Sequence, residues 1–570
     1  MTRRVNLAEA LRVRAAGTAT AALKNLRPVK PGSGRAPDLV SLSIRRPYGA
    51  QTEGAAILSG RWVYGGQTLD VGAHGHPFSV TLPSERFAAW LHGFGWLGDL
   101  LSVPDGPVKA GELCRQWVSA FSGANSFVHA PGLLAERMFN WGRLLSDLPD
   151  GDGTLAASYS AQMRVLRRLL PQLPPGLPVL RGQAAMVIYG ARHTDRPETY
   201  LAKGLDALDE QINAQILADG GHVSRAPYAS VDALACLLGT DAVLQAAGLD
   251  GSRALDRAID RLIPMIATLR HTDGAMAVFH GGHEGDPARI DALMRGRDGS
   301  VATPIQPFAY GPNSGYHRLE AGSNVVIVDA QSVPPRPHDL DAHLAPLAME
   351  ISTSEGRLLV NCGWHPGAAP AWRRPVRSSD AHSSLTLAGR SPGEILETGF
   401  VADALGPAIA VASRDVRARR KEQSTGIWLE ATHDGYKDAH GLVHRRRLFV
   451  GEDGDDIRGE DSLFVPAGDT PLTREAIPFT LRFHFHPDVR VSLAQDLSSA
   501  LLVQKGRAGW RFRTDGGPLA VEPSVYLAGS ARPVRAQQLV ITGQALGDGD
   551  GQGRDNRVRW SFRRLKGRAA

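Results

Sequence analysis

Hydrophobic residues recur at helical spacing from about residue 84 to residue 299. Leu205, Leu208 and Ile212 are separated by three and four positions, which places them on one face of a helix. Similar segments occupy residues 87–101, 113–121, 133–148, 157–170 and 254–269. Short stretches containing Gly or Pro separate these segments. We therefore predict stacked helical hairpins, which either close into an α/α toroid or form a plainer helical array.

The pattern changes to short β-type runs after a stretch rich in Pro, Gly and Asn at residues 300–315. Apolar runs follow at residues 324–329, 357–361, 384–387, 447–450, 479–486, 500–503 and 539–542. Many short strands punctuated by Gly, Pro and Asp are typical of an antiparallel β-sandwich. The expected fold class is therefore multidomain α+β, with a helical half followed by a C-terminal antiparallel β-sandwich.

The first 83 residues differ from both halves. Residues 1–35 are basic, and Leu7, Leu11 and the arginines among them indicate a basic amphipathic helix. Such a helix packs on the protein body or lies on an anionic membrane surface, and we favour packing. Residues 38–83 contain short strand-like pieces between Gly-rich turns. We therefore divide the chain into a lead-in packed on the body (1–83), a helical domain (84–299) and a β-sandwich domain (313–570).

Length and composition narrow the class of protein. A chain of 570 residues is too long for one ordinary core, and 43% hydrophobic with 21% charged residues is typical of globular proteins. No uninterrupted apolar run reaches about 18 residues, so we expect no integral membrane span. The N-terminus lacks the apolar core of a cleavable secretory signal. Three widely spaced cysteines exclude a disulfide framework.

The charge balance is compatible with an acidic ligand. The net charge is +6, and only eight of the 64 basic residues are lysines. Guanidinium groups pair with carboxylate and sulfate through two parallel hydrogen bonds, so an acidic polymer is a suitable partner. A generally arginine-rich, solvated surface explains the same numbers. The sequence lacks phosphate-cradling, dinucleotide-binding and nucleophilic-serine motifs, and we expect no nucleic-acid partner.

Three polar residues, His343, Asn361 and His382, each border an apolar, strand-like run. Neighbouring strands can bring all three together on one sheet face. Imidazole and amide groups that converge in a pocket bind a metal or move protons. A hydrogen-bonded cluster that ties three strands together explains the same residues.

Four segments resemble the heparinase II/III-like polysaccharide lyases. Residues 218–227 (Ala-Asp-Gly-Gly-His-Val-Ser-Arg-Ala-Pro) are similar to the Asp-Gly-Gly-His-x-x-Arg-x-Pro segment of that family's helical domain. Residues 341–351, 360–363 and 377–383 resemble, in order, its His-x-His-x-Asp-x-Leu-Ser-Phe-Glu-Leu, Val-Asp-x-Gly and Arg-x-x-x-Ala-His-Asn segments. The resemblance covers the chain from about residue 94 onward. It implies an α/α toroid, an incomplete helical barrel, before the β-sandwich.

The resemblance also implies β-elimination in a uronate-containing acidic polysaccharide. A base removes the C5 proton, an acid protonates the leaving oxygen, and donors neutralise the uronate carboxylate. The residues that the resemblance suggests for proton transfer are Tyr228, His338 and His343. The residues that it suggests for substrate binding are His222 and Arg225. Three further candidates are Gln183 as an amide donor, Tyr316 at the start of the β-domain and Arg377 in a basic stretch before His382.

The sequence departs from the family pattern at several of these positions. Asp341 stands where the family has the first His of His-x-His, and Tyr228 comes one position earlier than the family's tyrosine. The family's Asn-His pair is missing from the segment around Gln183.

The family pattern places a metal site in some members at the positions of His343, Asn361 and His382. Asn361 replaces the carboxylate that would anchor the ion, and an amide is a poorer zinc ligand than a carboxylate. We therefore expect no required cofactor, with zinc as the candidate for a structural ion.

Two functions of different classes follow. The first is a polysaccharide lyase, and the second is a non-catalytic glycan-binding protein that kept the scaffold and lost the chemistry. The family resemblance implies the cell envelope or periplasm as the place of action. A cytoplasmic role in envelope polysaccharide metabolism is the alternative, because no cleavable signal is visible.

Overall fold

The computed structural model describes residues 39–44, 49–123, 125, 127–193, 197–297, 305–396, 398–504 and 508–565. The basic arm at residues 1–35 lies outside them. The described chain forms an α/α toroid followed by an antiparallel β-sandwich, which confirms the expected fold class.

The helical part begins with a short helix and a hairpin and continues as a series of longer helices. Their bounds are α1 Gln51–Leu58, β1 Arg61–Tyr64, β2 Gln67–Asp70, α2 Glu85–His92, α3 Leu97–Leu100, α4 Gly106–Phe121, α5 Pro131–Leu144, α6 Thr154–Leu169, α7 Leu177–Arg192, α8 Pro197–Gln215, α9 Pro227–Ala246, α10 Arg253–Thr268 and α11 Pro287–Met294. Ser252 caps α10 by accepting a hydrogen bond from the N–H of Leu255. Pro residues occupy the first turns of α5, α7 and α9, where no intrahelical N–H is needed.

The C-terminal part consists almost entirely of strands. Their bounds, with two short helices between them, are β3 Tyr316–Ala321, β4 Asn324–Asp329, β5 Met349–Thr353, β6 Gly356–Val360, β7 Leu385–Leu387, β8 Gly393–Ile395, α12 Phe400–Leu405, β9 Ile409–Ala412, β10 Val416–Gln423, β11 Gly426–His433, α13 Lys437–His440, β12 Val443–Gly451, β13 Asp456–Phe464, β14 Ala476–Phe485, β15 Val489–Leu493, β16 Ser499–Gln504, β17 Ala508–Thr514, β18 Leu519–Tyr526, β19 Val534–Leu546 and β20 Arg557–Leu565.

Two large antiparallel sheets form the sandwich. Sheet A has the order β10-β11-β12-β13-β20-β17-β16-β15, and sheet B has the order β18-β19-β14-β6-β5-β4-β3, with β7 also paired to β14. Inward residues of both sheets build one core, where Phe483 of sheet B contacts Phe512 and Trp560 of sheet A at ring distances of 5.0 and 5.1 Å. The outward residues of sheet A are largely polar or charged, whereas outward residues of sheet B such as Val325 and Ile327 pack into the core of the helical part.

Buried polar contacts join the helical part to sheet B. Arg225, before α9, forms an ion pair with Asp329 at the end of β4. His271, after α10, lies 2.8 Å from the Glu350 carboxylate of β5. All four side chains are almost fully buried. The two halves are therefore held together by hydrogen-bonded groups that would be costly to leave unpaired.

The lead-in hairpin packs on the helical part. Trp62 of β1 is buried against Trp96, with ring centroids 5.0 Å apart, and Tyr64 stacks on Trp90 at the same distance. The turn at Gly65 reaches the sandwich, where it approaches the ring of His365.

Helix α9 is long and apolar enough to cross a membrane by length and composition alone. However, 72% of its most apolar window is buried inside the protein, and the core helices of soluble proteins pass the same test. Its burial between neighbouring helices explains its composition.

Candidate functional site

The two motif histidines of the sandwich come together, as their positions at strand ends predicted. The rings of His343 and His382 lie 4.5 Å apart. His382 Nδ1 is 2.7 Å from the Ser378 carbonyl oxygen and donates to it, and His382 Nε2 lies 2.7 Å from Nδ1 of His343. The N–H groups of His280 and Gly281 donate to Nδ1 and Nε2 of His343 at 3.0 and 2.8 Å. Both nitrogens of each imidazole are therefore engaged within the protein.

Both rings are also shielded from solvent. His343 is 3% exposed and His382 is fully buried. Burial lowers the pKa of His382 to about 4, and burial together with the neighbouring imidazoles holds the pKa of His343 well below its ordinary value. The adjoining cavity of about 10 Å³ has room for about one water molecule. A polymer cannot reach these nitrogens in this arrangement.

The side chains do not fit a zinc site. Zinc needs nitrogen lone pairs that converge on one point about 2 Å away, whereas both nitrogens of His343 accept backbone N–H groups, those of His280 and Gly281. Asn361 Oδ1 accepts from the N–H of Ser383 at 3.0 Å, and its Nδ2 donates to Glu350 at 3.1 Å. Among the described residues, no three His, Cys, Asp or Glu side chains are placed to hold a metal ion.

Arg225 and Tyr316, both expected to bind substrate, instead join the two halves. Arg225 pairs with Asp329 and donates to the Ser314 carbonyl oxygen at 2.8 Å. The Tyr316 hydroxyl donates to the carbonyl oxygen of Arg225. Burial alone would raise the pKa of Asp329, but Arg225 and His280 hold it below its ordinary value. The guanidinium thus neutralises a buried carboxylate of the protein and is not presented to a ligand.

His222 and Arg377 stabilise loops. His222 is 3% exposed, and its ring nitrogens contact Ser224 Oγ at 2.7 Å and Gln215 Oε1 at 3.2 Å. Arg377 is 1% exposed and donates to three carbonyl oxygens, including that of Ala342 at 2.8 Å. Neither side chain is placed to meet a polysaccharide.

Gln183 and His338 lie away from the motif histidines. Gln183 and Gln211 line a surface depression, while Arg181, about 200° away around α7, forms an ion pair with Glu136. His338 is half-buried, with its ring 6.3 Å from that of His222. Burial lowers the pKa of His338 below its ordinary value. The expected grouping of these residues around one carboxylate is not found.

Tyr228 is the one proposed catalytic residue that lies in an accessible group of side chains. Its ring lies 3.8 Å from that of His283, and His283 lies 5.6 Å from His365 of the sandwich. Tyr228 is 9% exposed and the two histidines are partly exposed. The Tyr228 hydroxyl has no hydrogen-bond partner within the part of the chain that the structure describes. We call Tyr228, His283 and His365 the cleft cluster.

All three groups are neutral at pH 7. Burial raises the pKa of Tyr228 to about 12. Burial, followed by the neighbouring His365, lowers the pKa of His283 to about 3, and burial lowers the pKa of His365 to about 4. The cluster can therefore offer neutral hydrogen-bond donors and acceptors to a ligand.

The loop before α11 is shaped around Tyr228. His280 has φ 50°, and Gly281 and Gly285 have φ 79° and 71°. A Cβ on Gly285 would overlap the Tyr228 ring. Left-handed backbone at a non-glycine residue is costly, and such residues cluster at functional sites.

The helical wall next to the cleft cluster carries charged side chains of both signs. Arg181 pairs with Glu136 at 2.5 Å and with Asp232 at 3.3 Å, and all three side chains are partly exposed. One guanidinium therefore faces two carboxylates. Asp232 also raises the pKa of Tyr228, in opposition to Arg289.

Sequence reasoning missed His283 and His365. His283 lies in His280-Gly-Gly-His283-Glu284, and His365 follows Trp364 directly after the recognised Val-Asn-Cys-Gly segment. Two features of the sequence could have indicated them. His283 lies in a loop that contains two glycines, and His365 lies next to the segment that resembles the family pattern. Arg86, which lies over the Trp364 ring at 5.2 Å, had no sequence signal because it comes from α2.

Comparison with known proteins agrees with this architecture. Residues 303–561 match the family model described as "Heparinase II/III-like, C-terminal". The chain is 35% identical over 558 residues to the FtsZ-localized protein C of Caulobacter vibrioides, covering 94% of this chain and 93% of that protein.

Solved structures of heparinases share the fold over nearly the whole chain. Heparinase III superposes with a TM-score of 0.65 and 12% identity over 97% of this chain and 90% of its own. A mutant of the heparan sulfate lyase HepC from Pedobacter heparinus gives a TM-score of 0.61 and 14% identity over 100% and 92% of the two chains. The chain belongs to the heparinase II/III-like family.

Proposed function

We propose that this protein binds a polysaccharide in the cleft between its helical and sandwich halves and does not cleave uronates by elimination. One observation carries the proposal. His343 and His382 are bonded to each other, and Asn361 is bonded to Glu350, so the groups expected to carry the chemistry are engaged inside the protein. The scaffold is that of a lyase, while its motif residues hold the structure together.

One arginine of the cleft wall is already engaged. Uronate elimination requires positive or hydrogen-bond-donating groups against the carboxylate, where the enolate charge develops. Glu136 and Asp232 hold the guanidinium of Arg181 in two ion pairs, so it is not available to neutralise a substrate carboxylate.

The same cleft has features that favour glycan binding. Tyr64 stacks on Trp90 on the helical side, where both rings are partly exposed, and Arg86, one turn before Trp90, covers the buried ring of Trp364. Partly exposed aromatic rings provide apolar faces for sugars, and a guanidinium suits a carboxylate or sulfate substituent. We therefore assign an acidic polysaccharide or oligosaccharide as the ligand class.

The name of the Caulobacter relative records localisation with FtsZ and no enzymatic activity. This supports the non-catalytic alternative. We place the protein in envelope polysaccharide metabolism, and cell fractionation decides between the envelope and the cytoplasm as its location.

Calorimetry with short oligosaccharides tests the binding proposal. Uronate-containing tetrasaccharides are titrated into the wild type and Tyr64→Ala, with Tyr310→Ala, which changes an exposed ring outside both the cleft cluster and its helical wall, as the matched control. We expect binding by the wild type and the control and a loss with Tyr64→Ala. Equal affinity in all three proteins contradicts a ligand site in the cleft.

A second candidate function is a lyase that uses the cleft cluster. It is favoured by the unbonded Tyr228 hydroxyl next to the neutral imidazole of His283. If it is correct, unsaturated uronate accumulates with the wild type, and Tyr228→Phe abolishes this product while leaving oligosaccharide affinity intact.

A further inference from the structure

The outer face of sheet A carries a second feature that the cleft does not use. Strand alternation in β17 turns Trp510 and Phe512 into the core and leaves Arg511 and Arg513 exposed. Arg511 stands directly opposite Arg563 of β20, which is also exposed. Like charges opposite each other on neighbouring strands destabilise a sheet. Asp456 of β13 lies opposite Arg563 on its other side, but its carboxylate forms an ion pair with Arg458.

Positive charge prevails across the whole face. An open depression of about 720 Å³ is lined by six arginines and by three carboxylates, those of Asp456, Glu460 and Asp515. Arg447, Arg458 and Arg559 use two of these carboxylates in ion pairs. Arg511, Arg513 and Arg563 have no ion-pair partner among the residues that the structure describes. Three guanidinium groups are thus available to an anionic ligand.

Trp428 extends this surface. It is 45% exposed and lines both the larger depression and a neighbouring one of about 350 Å³, where Arg419 and Lys421 add positive charge. Its ring lies 4.6 Å from that of Phe449. From β10 to β17 the surface crosses five strand spacings, roughly 24 Å in all. We call this surface the basic face.

We propose that the basic face binds a linear polysaccharide carrying carboxylate or sulfate groups, at a site separate from the cleft. Guanidinium groups at strand spacing match repeated anionic substituents through paired hydrogen bonds, and Trp428 offers a ring to a sugar face. The face is concave, so a flat anionic bilayer does not fit into it. A folded protein partner would need a central apolar anchor site, whereas arginines dominate the lining of this depression.

This proposal is independent of the proposed cleft ligand, and one experiment separates them. Heparin and polygalacturonate of at least about 20 sugars are immobilised, and binding of the full-length protein is measured at low and high salt. The test variant is Arg511→Gln/Arg513→Gln/Arg563→Gln. The charge-matched control is Arg164→Gln/Arg167→Gln/Arg168→Gln, which changes three exposed arginines of α6. Tyr64→Ala reports on the cleft.

We expect the affinity of the basic-face variant at low salt to be lower than that of the wild type by a factor of roughly ten or more, because three ion pairs with the polymer are lost. The difference should shrink at high salt, since salt screens exposed charges. The α6 control should bind these polymers nearly as the wild type does, and Tyr64→Ala should keep the wild type's loss of binding between low and high salt. An equal loss with the α6 control, or no loss with the basic-face variant, overturns the proposal. Tighter binding of polyglutamate, duplex DNA or anionic vesicles than of either polysaccharide overturns the choice of ligand. Unchanged thermal unfolding of the variant shows that its fold persists.

Discussion

At the scale of single residues, side chains that resemble a lyase's machinery hold this protein together. Arg225 is the clearest example, because its guanidinium neutralises Asp329 and its carbonyl oxygen accepts from Tyr316. The motif identified Arg225 in the sequence. Its partner lies 104 positions away, and sequence spacing could not show that a protein carboxylate occupies the place expected for substrate.

Arg225→Ala should lower the free energy of unfolding by about 3–5 kcal/mol, because it leaves Asp329 buried without a counter-charge. Urea unfolding followed by circular dichroism measures this loss. Arg164→Ala, at an exposed position of α6, is the control and should change stability by less than about 0.5 kcal/mol. Equal effects of the two substitutions would show that the ion pair is not important to the fold.

The buried imidazoles predict a pH dependence of stability. The pKa of His382 in the folded protein is about 4, below the value of about 6.5 expected when unfolded. The unfolded chain therefore binds more protons between these values, and stability present above pH 6.5 is lost as the pH falls toward 4. The thermal midpoint should fall over this range, and less steeply in His382→Gln. The same slope in both proteins would contradict a neutral, buried His382.

At the scale of elements, the helix and strand patterns predicted the layers well, since burial of one face fixes the spacing of apolar residues. The strand ends also predicted that His343 and His382 would meet. The sequence could not show how deep they lie, because the loop around Gly281 covers them from another part of the chain. For the same reason, the cleft cluster, which draws on three separate loops and helices, was missed.

The loop of Gly285 offers a test of the cleft cluster. Gly285→Ala adds a Cβ that overlaps the Tyr228 ring, whereas Gly153→Ala adds one in open space at nearly the same backbone angle, φ 72° against 71°. Both substitutions strain the backbone, and only the first displaces Tyr228. We expect Gly285→Ala alone to weaken oligosaccharide binding by calorimetry. Equal affinities in the two variants would show that Tyr228 does not shape the binding site.

At the scale of the whole molecule, the toroid and the sandwich are joined by buried polar groups. Glu350 is central to this junction, since its carboxylate accepts from His271, from the N–H of Val278 and from Asn361. Such coupling predicts that both halves unfold together. The fold class followed from the sequence, while this junction depends on contacts between residues about 80 positions apart.

Differential scanning calorimetry should therefore show one main transition for the wild type. Glu350→Gln replaces an acceptor with an amide whose NH₂ group faces the protein's own N–H donors, and it should separate the unfolding of the two halves. Two resolved transitions in the wild type would contradict a tightly coupled junction.

The central claim is that a lyase scaffold has kept glycan binding without elimination. Its most direct test is the chain length of alginate, polygalacturonate and heparan-type polymers after prolonged incubation with the protein, measured by size-exclusion chromatography with ultraviolet detection. The account predicts polymers of unchanged length without new ultraviolet absorbance, under conditions where binding is measured. Shortened, ultraviolet-absorbing chains that disappear with Tyr228→Phe would contradict it.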